Sequence, residues 1–567
     1  MTRGQLLLAL LAALAVGAVA WVAGGSGGGD SNGGGAGGEP DAKTPANAIV
    51  VSFAYSPEKE KLLAPLIKEF NAKGETVSGR PVAIKGSSVS SGEAESRIAS
   101  GRLKPVAWSP ASSLWGRLLD FEADRPLAPD ENPSLVRTPL VIAMWEPMAR
   151  ALGWPRKPLG FADILKLADD PRGWAGQGHP EFGAFRLVHT NPDFSTSGLS
   201  AVVAEYYAAT GKKEGLRENE VTSSKARKTV KGIERSIVHY GDTTLFIADQ
   251  MRKEGPGYAS AAAMEEVTLL DFNRRRGSAD RLVAIYPSEG TFYSDNPFIV
   301  LNAPWVRPEQ AEGAKAFQSF LAEKLTPELA ARSGFRPADL DAKPVAPITA
   351  ANGVDPAQPK RVLGLPEPRV LAAIKESWRE DRKPANILLV LDTSGSMFEE
   401  NRLDRAKAGL RAFFDGVGKQ DRLGLTTFSD EIRPVTPVGP FDAQGKAQLE
   451  GVLKNLVAEG GTAFYDATLR AFDTVRPIAD RDHITAVVLL TDGEDTDSAA
   501  TVEDVVQRLQ GQGDTENKVR VFTIAYSAGA TGAREQLAKI AEASGGQSYE
   551  GRTSDIESVY RSISSFF

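Results

Sequence analysis

The chain contains no cysteine. That excludes disulfide staples, thiolate metal sites, a cysteine nucleophile and a lipid-modified cysteine, so any membrane attachment has to be made by the polypeptide itself. Histidine is scarce too: His179, His189, His239 and His483 are the four. They are scattered, with neither HExxH nor paired spacing, and read as solvated or hydrogen-bonded side chains rather than zinc ligands. Charge of one sign is also missing. The net charge is -7 over 567 residues with both signs interspersed; without a basic stripe or a nucleic-acid module, no nucleic acid is expected among the partners. Walker A, HExxH and kinase motifs are lacking, as is GxSxG outside a low-complexity glycine tract, so no enzymatic activity is expected.

What is present divides the chain. About 42% hydrophobic content over this length supports three or four units of roughly 150 residues each. Residues 1–24 carry Arg3 and then an apolar run from Leu6 to Ala23, just long enough to span a bilayer. They read as a transmembrane anchor or uncleaved signal. Ala18-Val19-Ala20 offers a small-residue cleavage site if the protein is secreted instead. Arg3 on the short side predicts a single-pass protein of the cell membrane with the bulk of the chain extracytoplasmic. Residues 25–46, rich in glycine, form a flexible tether.

Residues 47–340 alternate strand-like and helix-like patterns. IVVSFAYS is a β-rich run, and Leu62, Leu63, Leu66, Ile67 and Phe70 then recur at helical spacing up to a glycine. The alternation continues through PVAIKGSS, LVIAMWE, FGAFRLVHTN, TLLDFN and RLVAIYPSEG, giving an α/β unit. Trp108 reads as core. Residues 341–383 shift to proline, alanine and charge, a semi-rigid connector with one short helical piece, VLAAIKESWRED. Residues 384–567 form a second α/β unit, with ILLVLD, RLGLTTFS, ITAVVLLTD and VRVFTIAYS as strands. Their apolar runs are continuous, as in a parallel sheet covered on both faces.

In such a sheet, ligands bind at the C-terminal ends of the strands. Asp392, Ser394 and Ser396 follow ILLVL, Asp492 follows ITAVVLLT, and Thr462 lies in the glycine-hinged EGGTAFYD between them. Two carboxylates within ~5 Å at an effective dielectric near 20 repel by about 3 kcal/mol, a penalty that a divalent cation removes. Two carboxylates and three hydroxyls are hard ligands suited to Mg²⁺, with Mn²⁺ or Ca²⁺ as alternatives. Glu494, Asp495 and Asp497 read as a solvated acidic rim, and His483, at the start of its strand, sits at the wrong end to act as a base. The pattern D-x-S-x-S, Thr462 and T-D-G resembles the metal-ion-dependent adhesion site of the von Willebrand factor type A family at all five positions. The resemblance implies a Rossmann-like doubly wound fold and capture of an Asp or Glu on a protein partner.

In the middle unit, Ser87, Ser88 and Ser91 of GSSVSSGEAESRIASG and Ser195, Thr196 and Ser197 of HTNPDFSTSGLSAVV crowd two expected helix starts, which together would clamp a small anion. These stretches, with YPSEGTFYSDNPFIVLNAP and EGAKAFQSFLAEKLTPELAARSGFRP, resemble bacterial extracellular solute-binding proteins of the two-lobed type. That likeness implies a cleft between lobes taking an oxyanion-type solute. The expected whole is a two-lobed periplasmic-binding-protein-like domain followed by a von Willebrand factor type A domain. Its expected function is metal-dependent capture of an acidic protein partner, with the solute-binding-like module as a second recognition domain. The alternative is a solute receptor of a transport system with an accessory metal-binding domain.

Overall fold

The computed structural model describes residues 45 and 47–567, apart from 514–516, 527–530 and 553–554. The expected anchor and tether lie outside these residues, Pro45 excepted. Among the described residues no helix is long and apolar enough to cross a membrane.

The first lobe is a five-stranded sheet in the order Ile299–Val300, Ala107–Ser109, Ile49–Tyr55, Arg80–Ser88, Thr76–Val77. Its inclusion of Ile299–Val300 means that the chain leaves this lobe and later returns to it. Helix Glu60–Lys73 buries the five apolar residues expected and ends at Gly74, whose φ of 70° is the left-handed conformation a side chain would resist. The second lobe is built on Val136–Trp145, which pairs with Arg336–Pro337, Ala261–Glu265, Leu282–Ile285 and Tyr293–Ser294; Leu187–His189 continues the sheet beyond Ala261–Glu265. One local expectation differs. TLLDFN lies inside helix Glu266–Arg275, and the strand before it is AAAME. Alanine has little β propensity, but every residue of AAAME is buried, and its pairing with two neighbouring strands outweighs local preference. Trp108 is fully buried core.

The C-terminal sheet runs Ile432–Pro440, Arg422–Phe428, Ala385–Asp392, Ile484–Thr491, Val519–Tyr526, Ser548–Gly551, parallel except for the proline-containing first strand at the edge. Its central strand shows why the apolar run is unbroken. Ile387, Leu389 and Leu391 share a core with Leu403, Leu410 and Tyr560, whereas Leu388 and Val390 face Phe464, Leu509 and Leu537 on the other side. Both faces of the sheet are therefore covered by helices.

The expected connector packs more closely than its composition suggests. Ile348, Val354 and Leu363 are buried, and helix Pro368–Asp381 buries Val370, Leu371, Ile374 and Trp378 along one stripe. Ion pairs fix its rim. Arg379 pairs with both oxygens of Asp193, and Arg227 with both oxygens of Asp381. A helix with an apolar stripe this wide cannot stay solvated beside an apolar lobe, and docking removes the stripe from water.

Candidate functional site

Asp392 is the last residue of its strand, and Asp492 follows Thr491 directly on the neighbouring one. The register pairs Leu391 with Leu490, so both carboxylates reach the same sheet edge. Asp392 is fully buried; its Oδ1 accepts from Ser394 N at 2.7 Å and its Oδ2 from Thr491 Oγ1 at 2.6 Å. Ser394 Oγ lies 3.0 Å from Ser396 Oγ, and Ser396 Oγ donates to Asp492 Oδ1 at 2.6 Å. Four of the five expected residues therefore form one hydrogen-bonded chain. Thr462 stands at the same edge: a Cβ at Gly493 would sit 3.8 Å from Thr462 Oγ1 and 3.9 Å from Ser396 Oγ.

Arg402, the first residue of helix Arg402–Phe414, was not anticipated. Its Nη1 donates to Asp492 Oδ2 at 2.8 Å. The sequence argument had asked for positive charge between two carboxylates, and part of it comes from the protein. Asp392 has no such partner among the described residues: burial, with the charge of Asp492 added, pushes its carboxyl up to about 6. The donor set fits a hard cation, because each carboxylate oxygen keeps a second acceptor position after its present hydrogen bond, and the hydroxyls can rotate to present lone pairs. Replacing Gly493 with alanine should weaken Mn²⁺ binding about tenfold or more with little change in melting temperature. The added methyl would stand at ordinary contact distance beside the two hydroxyls; calorimetric titration alongside a thermal melt checks both halves.

The acidic rim is not merely solvated. Asp497 Oδ2 accepts from Thr462 N at 3.0 Å, and Asp495 Oδ2 from Tyr465 N at 3.1 Å. Asp466 in turn accepts from Ala499 N and Ala500 N. These carboxylates lace the Thr462 loop to the Asp492 loop and hold Thr462 in place. His483 pairs with Asp480 ahead of strand Ile484–Thr491, at the end opposite Asp492.

The cleft between the lobes departs from the expected anion clamp. Helices Ser91–Ala99 and Thr196–Thr210 do start where expected, but they are tied to each other and to nearby loops: Gly92 N donates to Phe194 O and Gly198 N to Thr190 Oγ1. A Cβ at Gly92 would lie 2.2 Å from Asp193 O, so this approach requires glycine. Ser91, Ser195 and Thr196 line a cavity of about 20 Å³, room for a single water. Ser87 and Ser88 are exposed on strand Arg80–Ser88, outside it, and Ser197 is buried against Thr190 Oγ1 at 2.8 Å. Sequence reasoning missed the carboxylates that share this cavity: Glu58, Asp242 and Glu265. Burial pushes Asp242 up to about 6, and burial with the Glu58 charge raises Glu265. A cavity of this size admits no oxyanion, and its carboxyl groups add acceptors where an anion would need donors.

Two α/β modules, a two-lobed one with a central cleft and a doubly wound one with polar strand ends, define a binding protein. Residues 51–336 match the bacterial extracellular solute-binding protein family, and residues 386–561 match the von Willebrand factor type A domain. The first match covers half of the chain, which thus belongs to the bacterial extracellular solute-binding protein family and carries a von Willebrand factor type A domain. The family's extracellular character agrees with an extracytoplasmic location. Among curated relatives, "Uncharacterized protein YfbK" of Escherichia coli (strain K12) is 24% identical over 236 residues, 40% of each chain. "Inter-alpha-trypsin inhibitor heavy chain H4" of Sus scrofa is 27% identical over 139 residues, 23% of this chain and 15% of that one. The chain thus spans 40% or less of the length of these relatives. Among solved structures, "Periplasmic thiamin binding protein" is 12% identical, covering 59% of this chain and 96% of its own, with a TM-score of 0.41. "von Willebrand factor type A from Catenulispora acidiphila" is 20% identical, covering 32% and 42%, with a TM-score of 0.28.

Proposed function

We propose that this chain is a membrane-anchored extracytoplasmic protein that captures an acidic group on a protein partner. Capture runs through a divalent cation, Mg²⁺ by preference, held by Asp392, Ser394, Ser396, Thr462 and Asp492. When bound, such a cation supplies a hard Lewis acid with room for an oxygen from outside. The charge count at the site carries the reading. Asp392 and Asp492 bring two buried negative charges and Arg402, whose other partner Glu399 is exposed to solvent, returns one, so a divalent cation leaves the buried site one charge positive, and a partner's carboxylate makes it neutral. Residues 1–24 would serve as the anchor.

Phe398 supports a protein rather than a small molecule as the occupant. It lies two residues past Ser396 and is 81% exposed. Val457, on the loop leading to Thr462, is also exposed. Exposed apolar side chains beside a polar anchor point are the composition of a protein-binding hot spot. Phe398→Ala is expected to weaken partner capture about tenfold while leaving Mn²⁺ binding intact. Pull-down from the extracytoplasmic membrane fraction, with Mg²⁺ and with chelator, tests the whole reading. Capture that survives chelator or Asp392→Ala would overturn it.

The solute-binding module is read as a second recognition domain. Asp242 Oδ1 is buried without a hydrogen-bond partner among the described residues and lines the cleft, where the oxyanion first expected finds neither room nor donors. Neither site is read as catalytic, since His483 lies away from the cation site and no other histidine belongs to that domain.

A further inference from the structure

The second lobe contains a cluster that neither reading above uses. His189 ends strand Leu187–His189, Glu205 lies within helix Thr196–Thr210, and Glu234 ends helix Ser224–Glu234. All three side chains are fully buried, and one ligand atom from each lies within 4.8 Å of the other two.

The hydrogen bonds orient this cluster. His189 Nδ1 donates to Thr190 O at 2.7 Å, so in the neutral ring Nε2 carries the lone pair, and Nε2 sits 3.0 Å from Glu234 Oε1. Two acceptors facing each other at that distance need a proton or a cation between them. The other oxygen of Glu234 accepts from Tyr240 Oη at 2.5 Å. Among the described residues Glu205 has no hydrogen-bond partner on either carboxylate oxygen. A proton could neutralise Glu205, and burial together with the Glu234 charge does push its carboxyl well above the usual range. Yet that O–H would itself have no acceptor, a cost of about 1–3 kcal/mol in a buried site.

We infer that His189 Nε2, Glu205 and Glu234 form a buried structural site for a divalent transition metal, of the Zn²⁺ or Mn²⁺ class. One imidazole nitrogen and two carboxylates are a normal donor set for these ions. A neutral imidazole, two carboxylates and one divalent cation sum to zero charge, which a buried site requires. The Nδ1–H donated to a backbone carbonyl is the outer-shell contact that orients a ligating histidine. Ligands on one ion at about 2.1 Å stand no more than about 4.2 Å apart, and about 3.4 Å at the tetrahedral angle, so a pair at the 4.8 Å limit closes by about half an ångström or more on binding. Through Glu234 and Tyr240 the ion would brace the junction with the C-terminal domain, because Tyr240 Oη also accepts from Lys383 N.

The test uses the full chain carrying Asp392→Ala, so that cation binding at the sheet edge does not contribute. After production in medium supplemented with Zn²⁺ or Mn²⁺ and passage through chelator, elemental analysis is expected to find about one equivalent of metal. Crystals should show an anomalous difference peak between the three side chains. Glu205→Gln, the same shape without the charge, is expected to lose at least nine-tenths of the metal. A metal-free Asp392→Ala chain, with no rise in melting temperature after refolding with Zn²⁺ or Mn²⁺, would overturn the inference, as would a metal peak elsewhere. The first measurement and the crystal decide the matter even if Glu205→Gln fails to fold.

Discussion

Asp392→Ala is expected to abolish the heat of Mn²⁺ binding in a calorimetric titration of the full chain. The substitution removes one of two carboxylates and leaves Asp492 already neutralised by Arg402, so little attraction for a cation survives. The buried His189 cluster does not interfere, because a closed site does not exchange during a titration. An isotherm unchanged in Asp392→Ala would sink the assignment. The pH dependence follows from the buried carboxyl. Metal requires the ionised form, so with Asp392 pushed up to about 6, binding should weaken about tenfold between pH 7 and pH 5. In chelator the sign reverses for stability. A carboxyl whose folded pKa is raised contributes stability below its unfolded pKa near 3.8, and that contribution is lost as pH rises through about 6. The loss is about 3 kcal/mol. Asp392→Asn should therefore be more stable than the parent at pH 7.5 in chelator and equal to it at pH 4, and Mn²⁺ should restore stability only to the parent.

The second large effect lies where the connector meets the C-terminal sheet. Arg382 pairs with Asp421, both nearly inaccessible to solvent, and Asp421 also accepts from Ala385 N at 2.8 Å and Gly418 N at 2.6 Å. Asp421→Ala would leave a buried guanidinium uncompensated and two backbone N–H groups without acceptors. The expected destabilisation is about 3–5 kcal/mol, read as a lowered denaturant midpoint. Arg382→Met combined with Asp421→Leu should recover part of it, since no unpaired charge then stays buried. A single mutant within about 1 kcal/mol of the parent would show that the pair carries no such cost.

The two sites differed in how much of them could be read beforehand. Asp392 and Asp492 were locatable because each ends an unbroken apolar run, and a run that stops at a carboxylate marks where a covered strand emerges at the sheet edge. Ser394 and Ser396 followed by adjacency. Arg402 did not, because nothing local distinguishes an arginine at a helix start that turns inward from one that faces water. In the other domain the serine-rich helix starts were found, but Glu58, Asp242 and Glu265 come from three separate segments. Their convergence lines with acceptors the cleft that the serines were expected to make an anion site.

The sequence by itself determined the two α/β modules, their order, and the strand ends that carry the paired carboxylates, because periodicity and run length are local properties of the chain. Only the tertiary structure decided that the proline-rich connector is docked, that carboxyl groups line the inter-lobe cleft, that Arg402 neutralises Asp492, and that His189 meets Glu205 and Glu234. Each of these depends on which charges are brought together out of water. Burial raises the energy of an unpaired charge by several kcal/mol, so partner choice follows packing between distant segments, and no local pattern encodes it.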